Sequence, residues 1–179
     1  MKNIIIKSKS EIVELINKKY ENRLFDAISI GDPDEDEPIK DYKKLSNYLR
    51  LEFFDMESGD PESNLYRIPE KEDFEKVISF YEKIKNSNND LLIHCKAGIS
   101  RSTAVGLFMI YKELISEKKS IDTLLYIRPK ALPNRNIIKF IDEKFKTNFL
   151  EEINKIHDRR LGALEKSILE KLKNYKRNS

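Results

Sequence analysis

Tryptophan is absent from these 179 residues, cysteine occurs once and glycine only five times. A single cysteine excludes any disulfide within the chain and suits a reducing compartment. It also leaves an oxidised Cys95 without a resolving thiol in the same chain. No apolar run approaches the length of a membrane span. The stretch Ile4-Ile5-Ile6 near the start is too short for a signal peptide, so no transmembrane segment and a cytoplasmic location are expected. Neither sign of charge dominates: 34 basic against 31 acidic side chains leave a net charge of +3. That balance gives no electrostatic footprint for nucleic acid, and no such partner is expected. With 36% charged residues and a mean hydropathy of −0.62, the length fits one solvated domain with a real core rather than two.

What the chain does have is concentrated in residues 91 to 103, Leu-Leu-Ile-His-Cys-Lys-Ala-Gly-Ile-Ser-Arg-Ser-Thr. An apolar strand runs into Cys95, a short loop follows, and Arg101 opens an apolar helix. Such a strand–loop–helix unit aims successive backbone N–H groups, and the positive end of a helix dipole, at one point. The same field favours the thiolate of a cysteine placed there. The phosphate-binding residues are therefore expected to be Lys96, Ala97, Gly98, Ile99, Ser100 and Arg101. Gly98 can take the backbone conformation a tight anion nest requires. Arg101 can grip two phosphate oxygens with its planar fork. The hydroxyl of Ser102 follows directly. A merely buried cysteine would need none of this company.

Around that unit the pattern alternates. Strands are expected at 3–6, 25–30, 48–54 and 91–94. Helices are expected from an N-cap at Ser10 to about 19, from Pro69 at the first helical position to about 85, and at 101–117, 120–128 and 134–146. Strands alternating with helices predict an α/β fold, a single layered domain whose central, largely parallel sheet has four or five strands flanked by helices. Ligands in such sheets sit at the carboxyl ends of strands, where Cys95 lies. The segment 32–41 carries six acids against one lysine and reads as a solvated loop. From about 147 the composition changes. Leu161, Leu164, Ile168, Leu172 and Tyr175 recur at helical spacing between lysines, which predicts an amphipathic C-terminal extension. The expected division is a catalytic domain over 1–146 and a helical extension over 147–179 that packs on its own domain, a second copy or a partner.

His-Cys-Lys-Ala-Gly-Ile-Ser-Arg-Ser resembles the phosphate-binding loop of the cysteine-dependent protein tyrosine phosphatase superfamily, above all its small dual-specificity-like and microbial members. Leu49-Arg50-Leu51-Glu52-Phe53-Phe54-Asp55 resembles the strand that ends at the family's general acid. Ile127-Arg128-Pro129-Lys130-Ala131-Leu132-Pro133-Asn134 resembles a turn between two late helices. The likeness covers residues 25 to 145 and implies a tyrosine-phosphatase-like fold.

It also implies a chemistry that needs no cofactor and no metal. Cys95 would be the nucleophile, forming a phosphocysteine, and Arg101 with the loop amides would hold the equatorial oxygens. Ser102 would assist breakdown of the intermediate, and Asp55 would be the acid and then the base. Asp55 precedes Cys95 by 40 residues, more than is usual in the family, which leaves Asp60 as the alternative acid. His94 would support the loop by bonding its carbonyls. The implied substrate is a phosphorylated protein or peptide, with phosphotyrosine first and phosphoserine or phosphothreonine also open. The loop Lys96-Ala97-Gly98 is also similar to that of the inositol-lipid phosphatases, but Ile99 stands where those have a second lysine. A phosphoinositide or RNA 5′-phosphate phosphatase, or a phosphate-binding adaptor without turnover, remain the other readings. The Trp-Pro-Asp loop of the tyrosine-specific members is missing along with tryptophan.

Overall fold

Four apolar segments line up side by side in one sheet, and every neighbouring pair is parallel. The computed structural model describes residues 3–39, 42–57 and 66–177; Asp60 lies outside the described residues. The strands are β1 (Ile4–Ser8), β2 (Phe25–Gly31), β3 (Leu45–Glu52) and β4 (Asp90–Cys95), in the order β1-β4-β2-β3. The helices are α1 (Lys9–Lys19), α2 (Lys71–Ile84), α3 (Arg101–Leu114), α4 (Glu117–Ile127), α5 (Arg135–Phe145) and α6 (Phe149–Arg177).

Parallel strands covered on both faces cannot alternate with water, and β2 and β4 are buried at every residue. On one face α1 closes a small core in which Ile12, Ile16 and Tyr20 meet Phe25, Ala27, Ile39 and Leu92. The larger core lies on the other face, where Phe74, Val77, Phe108, Leu124 and Ile141 pack over Ile28, Ile93 and Leu51. β4 is central, so Cys95 emerges from the middle of the sheet's carboxyl edge.

The element ends differ from expectation for local reasons. Ser8, not Ser10, caps α1, because only Ser8 has a glutamate three residues on. Its hydroxyl accepts from Glu11 N while the Glu11 carboxylate accepts from Ser8 N at 2.7 Å. Likewise α2 starts two residues beyond Pro69, with Asp73 returning to the Glu70 backbone. α3 stops at Leu114, where Ile115 turns left-handed, and Ser116 then caps α4 three residues earlier than expected.

α6 is a single helix of 29 residues. Its first turns belong to the larger core through Phe149, Ile153 and Ile156, each burial being worth about 1.5–3 kcal/mol. Asp142 secures the entry by accepting from the N–H groups of Phe149 and Leu150. Further along, Leu161 and Ile168 are exposed; the side chains of Leu164, Leu172 and Tyr175 lie outside the described residues.

Candidate active site

Between β4 and α3 the chain folds into a tight loop over residues 96–100. Gly98 sits at φ +68°, and a Cβ there would stand 2.6 Å from the backbone carbon of Lys7 and nitrogen of Ser8. Only glycine fits, on both counts. The turn brings the Gly98 N–H to 3.3 Å from Cys95 Sγ, and the Ser102 hydroxyl to 3.1 Å from the same sulfur. Cys95 itself is buried.

The loop's carbonyls all face away from the sulfur, and each has a donor. Lys96 O accepts from Lys9 N, Ala97 O from Arg128 Nη2, and Gly98 O from Arg128 Nε. Ile99 O accepts from Leu132 N and the Thr103 hydroxyl, and Ser100 O from Asn134 N, Ala104 N and Thr103 again. A peptide plane whose carbonyl is tied outward turns its N–H inward. Among the described residues, the only protein acceptor for an amide of residues 96–100 is the cysteine sulfur. The other amides of the loop are left without a protein acceptor among the described residues.

Arg101 is 2% exposed and reaches back beneath the loop. Its Nη1 donates to Asp32 Oδ1 and to the Phe53 carbonyl, both at 2.7 Å, while its Nε is buried without a hydrogen-bond partner. Asp55 comes to the rim of the same loop. Its Oδ1 accepts from the Ser100 hydroxyl at 2.6 Å and from Asn134 Nδ2 at 3.1 Å, and its Oδ2 lies 3.9 Å from Arg101 Nε. Two residues on, Glu57 clasps the start of α5, accepting from Arg135 N and Nε while its carbonyl accepts from Asn136 Nδ2. Burial of Glu57 opposes ionisation, but the bonds from Arg135 prevail and hold its carboxyl below the usual range.

The model of the dual specificity phosphatase catalytic domain matches residues 6–147. The chain belongs to that family. Human dual specificity protein phosphatase 16 is 34% identical over 87 residues, which are 44% of this chain and 13% of the human protein. A probable dual specificity protein phosphatase of Dictyostelium discoideum is 31% identical over 101 residues, 55% of this chain and 40% of that protein. The matched stretch thus spans well under half the length of either relative. Among solved structures, that of DUSP15 superposes with a TM-score of 0.59 at 18% identity, covering 89% of this chain and 93% of the other. At that identity the likeness fixes the fold.

In this dual specificity phosphatase domain Cys95, Ser102, Arg101, Ser100 and Asp55 come together, and the side chain of Ile99 contributes no charge. The Nζ of Lys96 lies 3.9 Å from Asp32 Oδ2. Both ring nitrogens of His94 are buried, and neither makes a well-formed hydrogen bond to a carbonyl of residues 96–100. Desolvation lowers its pKa to about 4, opposed by Glu37 and aided by Arg50 and Lys9, so it is neutral at neutral pH.

The acidic segment 32–41 departs from expectation in part. Asp34 and Asp36 are exposed as expected, but Glu35 pairs with Lys9, Glu37 pairs with Arg50, and Asp32 meets Arg101. Sequence reasoning also missed Arg128, whose guanidinium pairs with Glu11 while bracing two loop carbonyls. Asn134 caps α5, its side-chain oxygen accepting from Asn136 N and Ile137 N. Because its carbonyl is used that way, its amide nitrogen must face Asp55.

Proposed function

We propose that this protein is a metal-independent phosphatase that hydrolyses phosphotyrosine in proteins, and phosphoserine or phosphothreonine where they reach the loop, through a phosphocysteine at Cys95. The observation that carries this reading is the sulfur lying among unspent amides with an orphaned arginine edge beside it. A tetrahedral dianion is the ligand that satisfies such a set.

In the first step Cys95 Sγ attacks phosphorus while the bond to the tyrosyl oxygen breaks. Loop amides and Arg101 hold the three equatorial oxygens, whose charge they stabilise throughout. Asp55, as the carboxylic acid, gives its proton to the departing oxygen. Its Oδ1 is occupied by two donors, so Oδ2 is the oxygen left to carry that proton. In the second step a water attacks phosphorus, Asp55 takes its proton, and the sulfur leaves as thiolate, with the Ser102 hydroxyl donating to it.

Ile99 leaves the loop with a single lysine, and that lysine has Asp32 nearby. This disfavours a polyanionic inositol head group. The test is hydrolysis of aryl phosphate, phosphopeptides, phosphoinositides and 5′-phosphorylated RNA by the wild type and by Cys95→Ser, Asp55→Asn and Asp60→Asn. Turnover of phosphotyrosine peptides should survive a chelator and vanish in Cys95→Ser. Asp55→Asn should lower kcat by roughly 10²–10⁴. Preference for inositol lipid or RNA ends overturns the substrate assignment, and loss of the acid limb in Asp60→Asn alone overturns that of Asp55.

A further inference from the structure

Arg101 is fixed at one nitrogen and open along one edge. Nη1 makes two short bonds, to the Asp32 carboxylate and to the carbonyl of Phe53, and Nε is buried with no hydrogen-bond partner, Asp55 Oδ2 being 3.9 Å away. A guanidinium is planar, so two bonds at Nη1 set the orientation of the whole fork. The edge left over is the one formed by Nε and Nη2, the pair a phosphate needs for a bidentate grip.

A second carboxylate competes for this fork. Asp55 Oδ2 stands 3.9 Å from Nε, close enough that a guanidinium freed at Nη1 could turn onto it. Such a pairing would occupy the edge meant for phosphate and would hold the acid in its ionised form. Asp32 is well placed to prevent it, because its loop is rigidly tied. Asp32 N donates to Glu35 Oε2 at 3.0 Å, and Glu35 N donates back to Asp32 O. Glu35 is in turn held by Lys9 Nζ at 2.9 Å, and its carbonyl by Arg50 Nη2.

We propose that Asp32 is a positioning residue of the phosphate site: it anchors Nη1 of Arg101, presents the Nε–Nη2 edge to the phosphoryl oxygens and keeps that fork off Asp55. This rests on the reading of Cys95 and Arg101 as the phosphatase centre. It also runs against simple charge counting. A carboxylate beside an anion site repels the anion, so a bare counter-ion role predicts tighter oxyanion binding once Asp32 is removed. Positioning predicts weaker binding.

The experiment combines turnover with calorimetric binding of inorganic tungstate for the wild type, Asp32→Ala, Asp32→Asn and Asp34→Asn. Asp34 is an exposed acid of the same loop, so its variant controls for charge alone. Asp32→Ala should lose roughly tenfold to a hundredfold in kcat/KM, with kcat falling as well as KM rising, and should bind tungstate more weakly. Asp32→Asn keeps an acceptor for Nη1 and should recover part of both, while Asp34→Asn behaves as wild type. Melting curves identify any variant that fails to fold, and Asp32→Asn then carries the test, with a loss of binding smaller than that of Arg101→Ala. Unchanged or tighter tungstate binding in the Asp32 variants overturns the proposal. A wild type that binds tungstate but hydrolyses nothing overturns the phosphatase reading instead, and leaves the role of Asp32 to the binding data.

Discussion

Arg128 and Glu11, 117 residues apart in sequence, form a two-pronged ion pair at 2.9 and 3.1 Å. The same guanidinium bonds the carbonyls of Gly98 and Ala97, and Glu11 caps the first turn of α1. The pair therefore joins the start of the fold to the back of the 96–100 loop. Arg128→Lys keeps the charge but cannot bridge three acceptors in one plane. We expect it to lower kcat/KM about tenfold while the protein remains folded, and Arg128→Ala to lower it further. The bond from Arg128, opposed by burial, holds the Glu11 pKa at about 2. A depressed carboxylate stabilises the fold above its ordinary 4.5 and loses that contribution as pH falls towards 2. Acid titration of stability in that window should flatten in Arg128→Ala. The effect should be small, because Glu11 is 41% exposed and the pair is screened.

Gly98→Ala should be far more damaging than its one carbon suggests. The left-handed conformation alone costs about 1–2 kcal/mol in an L-residue, and the new Cβ would press on backbone that cannot move aside. We expect a loss of roughly 2 kcal/mol or more in denaturant melts. Turnover should fall more than the fraction folded does, because the clash shifts the amides themselves.

Asn134 separates two roles in one side chain. Asn134→Ser retains an oxygen to cap α5 but removes the nitrogen that holds Asp55. Stability should change little. Losing one neutral hydrogen bond to the acid, worth about 0.5–1.5 kcal/mol, should lower kcat roughly threefold to tenfold. The loss should be largest with poor leaving groups, because only these require a well-placed proton, and a series of substituted aryl phosphates measures it.

His94 sets a second pH window. Its folded pKa of about 4 lies below the unfolded value of 6.5, so the unfolded chain binds a proton that the native state refuses. Stability is full above 6.5 and declines as pH falls towards 4. The total is about 3 kcal/mol at 1.36 kcal/mol per unit. His94→Gln should remove that slope from urea melts taken between pH 7 and 4. An unaltered slope would mean another group is responsible.

The parts of this site that could be read from the sequence are those that local chemistry forces into one stretch. Cys95, Gly98, Arg101 and Ser102 lie within eight residues, bounded by an apolar strand and an apolar helix, and each element follows from its own composition. Asp55 could be inferred because it follows the end of a strand. Partnerships made across the fold were hidden. Asp32 sits in a run of acids that looks like a solvated loop, and nothing nearby reveals that Lys9, Arg50 and Arg101 will face it from other elements. Arg128 meets Glu11 only because α4 ends beside α1. The Ser8 cap was legible in its glutamate three residues on, but Ser10 offered an equally good hydroxyl. The burial of His94 beside Glu37 and Arg50 was likewise hidden, because both neighbours come from other elements.

The outward tethering of all five loop carbonyls has a thermodynamic consequence. A peptide plane held by a bond on its far side cannot rotate alone, so the receptor's ordering is completed when the chain folds and is not repeated at each binding event. On the proposed reading, free orthophosphate would meet the same prepared site as the phosphoryl group of a substrate. Discrimination between them falls to whatever surrounds the loop. Release of inorganic phosphate, in competition with the next substrate, would then be part of the proposed catalytic cycle rather than an afterthought to it.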